Sequence, residues 1–126
     1  MNNIEITKIL ESRHETKNIF KGVFPCDLLP SKYAFIKPAA FVINTDAHNE
    51  PGSHWVALYI PINGIAEYFD SYGLPILIPD IKYISGIKYK YNLHRYQQML
   101  SSTCGQYCIY FIYCKAKGLS FQTIIE

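Results

Sequence analysis

The chain has 126 residues, 49% of them apolar and 17% charged, with a formal net charge of +2, which bounds it to a single domain (1–126) around one core. Its lysines are scattered, so the long basic stripe of a dedicated nucleic-acid binder is excluded and only weak polyanion affinity is left. No apolar run approaches the roughly 20 residues needed to cross a bilayer, and the first seven residues lack the basic-then-apolar pattern of a secretory signal, so an intracellular, soluble protein with no membrane partner is expected.

Residues 4–19 carry Ile4, Ile6, Ile9 and Leu10, a spacing that predicts a short amphipathic helix. Gly22, Pro25 and Pro30 punctuate residues 22–37, which read as a loop laid across the body. Residues 39–43 are small, aromatic or β-branched without a charge and predict a strand buried on both faces. A turn-forming stretch, 44–53, follows. Residues 54–60 (HWVALYI) and 65–69 (IAEYF) predict two further strands, joined through Asn63-Gly64, a hairpin signal. Residues 88–97 (KYKYNLHRYQ) alternate and predict a late strand. Residues 104–117 (CGQYCIYFIYCKAK) are nearly continuous in apolar and aromatic character, with Ser101, Ser102 and Thr103 as candidate N-caps and Gly118 as a stop, which predicts a buried helix beginning at a cysteine.

Of the four cysteines, Cys104, Cys108 and Cys114 crowd within eleven residues, a distribution that suits reduced thiols better than a disulfide scaffold. Cys104 and Cys108 (Cys-x3-Cys), like Cys108 and Cys114, have the spacing of residues along a helix rather than of a zinc finger or ribbon, so no metal site is assigned. Cys104 stands at a predicted helix N-terminus, where unpaired backbone N–H groups and the helix dipole favour a thiolate. Cys108 and Cys114 fall inside the helix.

His54 begins one strand of the predicted hairpin and Asp70 follows its partner, so both side chains fall at the same sheet edge. Nucleophile Cys104, base His54 and orienting Asp70 make a triad on this reading. Glu67 is the rival carboxylate, but strand alternation sends it to the face opposite Asp70. Gln97 and Gln98 lie just upstream of Cys104, where a side-chain amide suits an oxyanion hole together with the Cys104 backbone N–H. His14, His48 and His94 read as surface groups, and Tyr107, Tyr110, Phe111 and Tyr113 as packing residues.

Three segments, residues 40–60 (AFVINTDAHNEPGSHWVALYI), 67–73 (EYFDSYG) and 97–112 (QQMLSSTCGQYCIYFI), together resemble the adenovirus protease (adenain) family of cysteine peptidases, related to the proteases of ubiquitin-like modifiers. The resemblance is collinear over nearly the whole chain. It implies an α+β, papain-like (adenain-like) fold, a mostly antiparallel central sheet packed on the helix that starts at the catalytic cysteine. It implies that His54 is the base, Asp70 the acidic member and Cys104 the nucleophile, with Trp55 shaping the site. Gln97 has the glutamine-to-cysteine separation of the viral branch and is the oxyanion-hole choice, while Gln98 has the shorter separation of the modifier-protease branch and is the alternative.

The resemblance further implies a thiol endopeptidase acting on protein or peptide substrates, viral structural precursors cut after a small or Gly-Gly-like motif, with a location in the host cell or virion. A protease that deconjugates ubiquitin or a ubiquitin-like modifier is the first alternative, and an inactive binding module of the same fold the second. The adenovirus enzyme continues well past its catalytic helix whereas this sequence ends at Glu126. An activating peptide or DNA is therefore a cofactor by resemblance alone.

Overall fold

The computed structural model describes residues 1–31, 33–46, 54–74, 89–96 and 104–126. Helix α1 (Asn3–Ser12) starts at a capping box: the Asn2 side chain accepts from the Glu5 N–H at 2.9 Å, and the Asn2 N–H donates to the Glu5 carboxylate at 3.0 Å. Ile6 and Leu10, one turn apart, are buried, while Ile4 faces solvent. The helix stops at Ser12 rather than reaching residue 19. The chain turns back at Arg13, and the buried Thr16 hydroxyl donates to the Leu10 carbonyl at 2.6 Å, satisfying a group that another helical turn would have used.

The segment expected as loop from residue 22 begins instead with a strand, β1 (Phe20–Pro25). Both of its apparent breakers are compatible with that role. Gly22 (φ 139°) sits where the register shifts between Phe20 and Gly22, and Pro25 is the last residue of an edge strand, where its missing N–H costs no ladder bond.

β2 (Ala39–Asn44) is buried along its whole length, as its composition predicts. β3 (Trp55–Ile60), β4 (Ala66–Phe69) and β5 (Tyr89–Tyr91) complete a sheet of five strands in sequence order, β1-β2-β3-β4-β5. The pairings β2/β3 and β3/β4 are antiparallel, but β1/β2 and β4/β5 are parallel. The sheet is therefore mixed rather than mostly antiparallel. The strand expected over 88–97 pairs only at Tyr89–Tyr91, and Asn92 to Tyr96 leave the ladder. Residues 88 and 97 lie outside the described residues.

Alternation along the strands sorts two cores. Ala40, Val42, Ala57 and Phe69 face α1 and helix α2 (Cys104–Ala116), meeting Ile6, Leu10, Cys108, Phe111 and Ile112. Phe41, Ile43, Val56, Leu58 and Tyr68 face the other way, under Phe24, Leu29 and Phe35. α2 packs across β3 and ends as expected at Gly118: the Leu119 N–H reaches the Cys114 carbonyl at 3.1 Å and the Gly118 N–H that of Lys115 at 3.0 Å. A last short helix, α3 (Phe121–Ile125), is capped by Ser120 and presses Phe121 against Phe111.

Candidate active site

His54 immediately precedes β3, and Asp70 immediately follows β4. Because Ala57 pairs with Phe69 in an antiparallel register, the start of one strand and the end of the other share an edge. Backbone anchoring sets the position of His54: its carbonyl accepts from the Thr45 N–H at 2.9 Å and from the Thr45 hydroxyl at 3.4 Å. The imidazole Nε2 lies 2.7 Å from Asp70 Oδ1, with both side chains largely buried. That carboxylate oxygen also accepts the Tyr72 N–H at 2.8 Å, and the Tyr72 ring stacks on the imidazole, with centroids 4.3 Å apart and an interplanar angle of 15°.

The third member arrives from the helix. α2 lies across β3 so that its first residue, Cys104, reaches the start of that strand, where the Trp55 N–H donates to Cys104 Sγ at 3.4 Å. His54 Nδ1 is buried without a hydrogen bond among the described residues, which leaves it as the ring nitrogen available to the sulfur.

The electrostatics fit an ion pair. Burial opposes charge on His54, yet its hydrogen bond with Asp70 and the nearby Cys104 sulfur, with the negative charge of both, raise its pKa from 6.5 to about 9. Burial likewise opposes a Cys104 thiolate, but His54 and the N–H groups of Trp55 and Gly105 outweigh it and lower the thiol below its usual 9.0. One turn along the helix, Cys108 shows the reverse: burial first, then the neighbouring Cys104 and Asp70, push its thiol well above 9.0. A buried thiol held neutral is a packing residue.

The other sequence candidates are placed as follows. Trp55 is half-buried against the helix-side core, its backbone on the Cys104 sulfur. Glu67 faces α2, where its carboxylate meets Lys115 Nζ at 2.8 Å, away from His54. His14 and His94 are exposed. Gln97, Gln98, His48 and the candidate caps Ser101, Ser102 and Thr103 lie outside the described residues. Among the described residues no cluster of three His, Cys, Asp or Glu side chains is arranged to hold a metal ion, and no helix is long and apolar enough to cross a membrane.

Sequence reasoning missed Tyr72 and Asn92. The Asn92 side chain is fully buried and bonds both backbone groups of Asp70. No local pattern announces that role, because it depends on a parallel pairing between segments 22 residues apart.

A scan against models of known protein families finds no match. Among curated proteins, the chain is 35% identical over 104 residues to a protein of Acanthamoeba polyphaga mimivirus named as a thiol protease, covering 69% of this chain and 33% of that one. It is 29% identical over 99 residues to a cysteine protease of African swine fever virus, covering 68% of this chain and 36% of that one. The chain thus spans about a third of the length of these relatives. Among solved structures, the crystal structure of an African swine fever virus protease superposes with a TM-score of 0.67 at 20% identity, over 99% of this chain and 60% of that one. The likeness supports the α+β fold, with its five-stranded mixed sheet and helices. In sequence and in fold, this chain is similar to viral cysteine proteases.

Proposed function

We propose that the chain is a cysteine endopeptidase of the adenovirus-protease type, in which Cys104 is the nucleophile, His54 the general base and acid, and Asp70 the group that orients His54. The observation that carries this reading is that Asp70 bonds His54 Nε2 at 2.7 Å while the next residue, Trp55, donates its N–H to the Cys104 sulfur at the start of a buried helix.

Proton transfer from Cys104 to His54 leaves a thiolate beside an imidazolium. The thiolate adds to the scissile carbonyl, and collapse of the tetrahedral intermediate expels the amine, which takes the proton from His54. Water, deprotonated by His54, then hydrolyses the thioester and restores the thiol. Asp70 holds the ring so that Nε2 is occupied and Nδ1 faces the sulfur. On this proposal the oxyanion is met by the Cys104 backbone N–H with Gln97, or alternatively Gln98, and Trp55 shapes the site. The substrates are viral structural precursor proteins cut after a small-residue motif. Dependence on an activating peptide or DNA belongs to the same proposal.

The test is cleavage of a peptide library mapped by mass spectrometry, wild type beside Cys104→Ala. Cleavage by the wild type alone supports the endopeptidase; appreciable turnover by the alanine variant ends it. Three relatives from other isolates of African swine fever virus carry the name SUMO-1 cysteine protease, so C-terminal probes of ubiquitin-like modifiers form a second arm. Rapid labelling of Cys104 by one of them, without peptide cleavage, favours deconjugation instead. An inactive binding module is the outcome if Cys104 reacts with iodoacetamide no faster than Cys108.

A further inference from the structure

β4 ends at Phe69, so Asp70, although only 3% exposed, has left the ladder with a backbone N–H and carbonyl still to satisfy. β5 runs parallel to β4 with Tyr68 beside Tyr91, which brings Asn92 alongside Phe69, one residue short of Asp70. The Asn92 amide takes over where the ladder stops. Its Oδ1 accepts the Asp70 N–H at 2.9 Å, and its Nδ2 donates to the Asp70 carbonyl at 2.6 Å and to the His94 carbonyl at 3.0 Å. Asn92 is 0% exposed, with its amide hydrogens and oxygen engaged on these backbones.

The neighbouring bonds extend the clamp. The Tyr96 N–H reaches the Ser71 carbonyl at 2.7 Å, and the Gly73 N–H closes the turn on the Asp70 carbonyl at 2.8 Å. The turn that presents the carboxylate is therefore held by the segment that follows β5. We infer that Asn92 is a positioning residue for the site, fixing the Asp70 backbone so that its carboxylate meets His54 Nε2. The inference rests on the reading of Cys104, His54 and Asp70 as the reacting groups. Asn92 touches none of the reacting atoms and acts through Asp70.

The experiment follows iodoacetamide labelling of Cys104 against pH, by peptide mass spectrometry on the full chain, for wild type, Asn92→Ala, Asp70→Ala and the double variant. Circular dichroism and urea melts report folding, and Asn92→Ser replaces Asn92→Ala if the alanine variant does not fold. Loss of the clamp should slow neutral-pH labelling by about tenfold and move thiolate formation to higher pH, as expected when the group that orients a base is lost. In the Asp70→Ala background the same substitution should shift the profile no further.

A folded Asn92 variant with the wild-type profile overturns the assignment, and so does an equal effect with Asp70 absent, which is what a merely structural role would give. A wild-type Cys104 that titrates like an ordinary thiol is a different result: it removes the reading of the site, and the role of Asn92 with it.

Discussion

The backbone N–H of Trp55 donates to the sulfur of Cys104 across 49 residues of sequence, at 3.4 Å. Consecutive residues therefore make two of the site's contacts, His54 with its ring on Asp70 and Trp55 with its main chain on the sulfur. Because the second donor is a peptide group in a strand, it cannot reorient independently of the sheet, and the sulfur is presented to a fixed environment.

The pH profile should follow from the direction of the two shifts. With Cys104 lowered from 9.0 and His54 raised to about 9, thiolate and imidazolium coexist between the lowered Cys104 value and about pH 9. Turnover should rise as the thiol ionises and fall again as His54 loses its proton near pH 9. Asp70→Ala removes the strongest influence raising His54, so the alkaline limb should move to lower pH and kcat should drop by about 10²-fold or more. A pH–rate series on both proteins reads this, and an unmoved alkaline limb would contradict it.

Tyr72 stacks on the imidazole through its ring and bonds Asp70 through its backbone, so a side-chain change separates the two contacts. Tyr72→Leu keeps the N–H but removes the aromatic face, a cation–π contribution on the order of 0.5–1 kcal/mol when the ring is charged. The alkaline limb should shift down by about half a pH unit, since one unit corresponds to about 1.4 kcal/mol. Titration of His54 by NMR in the two proteins measures it directly.

At Gly73 (φ 74°) an added Cβ would lie 2.9 Å from the Leu93 carbonyl oxygen and 3.0 Å from that of His94, backbone atoms that cannot swing away. Gly73→Ala should lower stability by at least about 2 kcal/mol, of which the left-handed backbone accounts for roughly 1–2. Activity should fall more than for a surface control of equal stability, because the same turn carries Asp70. Urea denaturation alongside peptide cleavage checks both parts.

Glu67 and Lys115 form an ion pair between sheet and helix, each side chain 9% exposed, with Lys115 Nζ also 4.9 Å from the centre of the Tyr59 ring. Removing either partner strands a charge, so Lys115→Met or Glu67→Leu alone should each cost about 3 kcal/mol. The double variant should recover most of that loss. Chemical denaturation of the four proteins closes the cycle; additive losses would show that the pair is not coupled.

Much of the candidate site's layout was legible because its signals are short-range. A cysteine ahead of a continuous apolar helix, a histidine where a turn-rich stretch meets a strand, and an aspartate closing the next strand can each be read within about ten residues. The hairpin through Asn63-Gly64 brings the second and third to one edge. β1 was not legible, since Gly22 and Pro25 look like breakers until the register shift and the edge position absorb them. Nor was the true length of α1, because the Thr16 bond that ends it is a tertiary detail.

What the amino-acid order determined alone was the identity of the candidate groups and the local backbone that carries each, through periodicity, capping and turn chemistry. Only the tertiary structure decided that both flanks of the sheet are parallel, that Asn92 completes the ladder beside Asp70, and that Tyr72 covers the imidazole. The physical reason is loop closure. Parallel strands are joined through long connections whose ends meet only once the core has formed, so no local run of residues encodes which side chain will meet them.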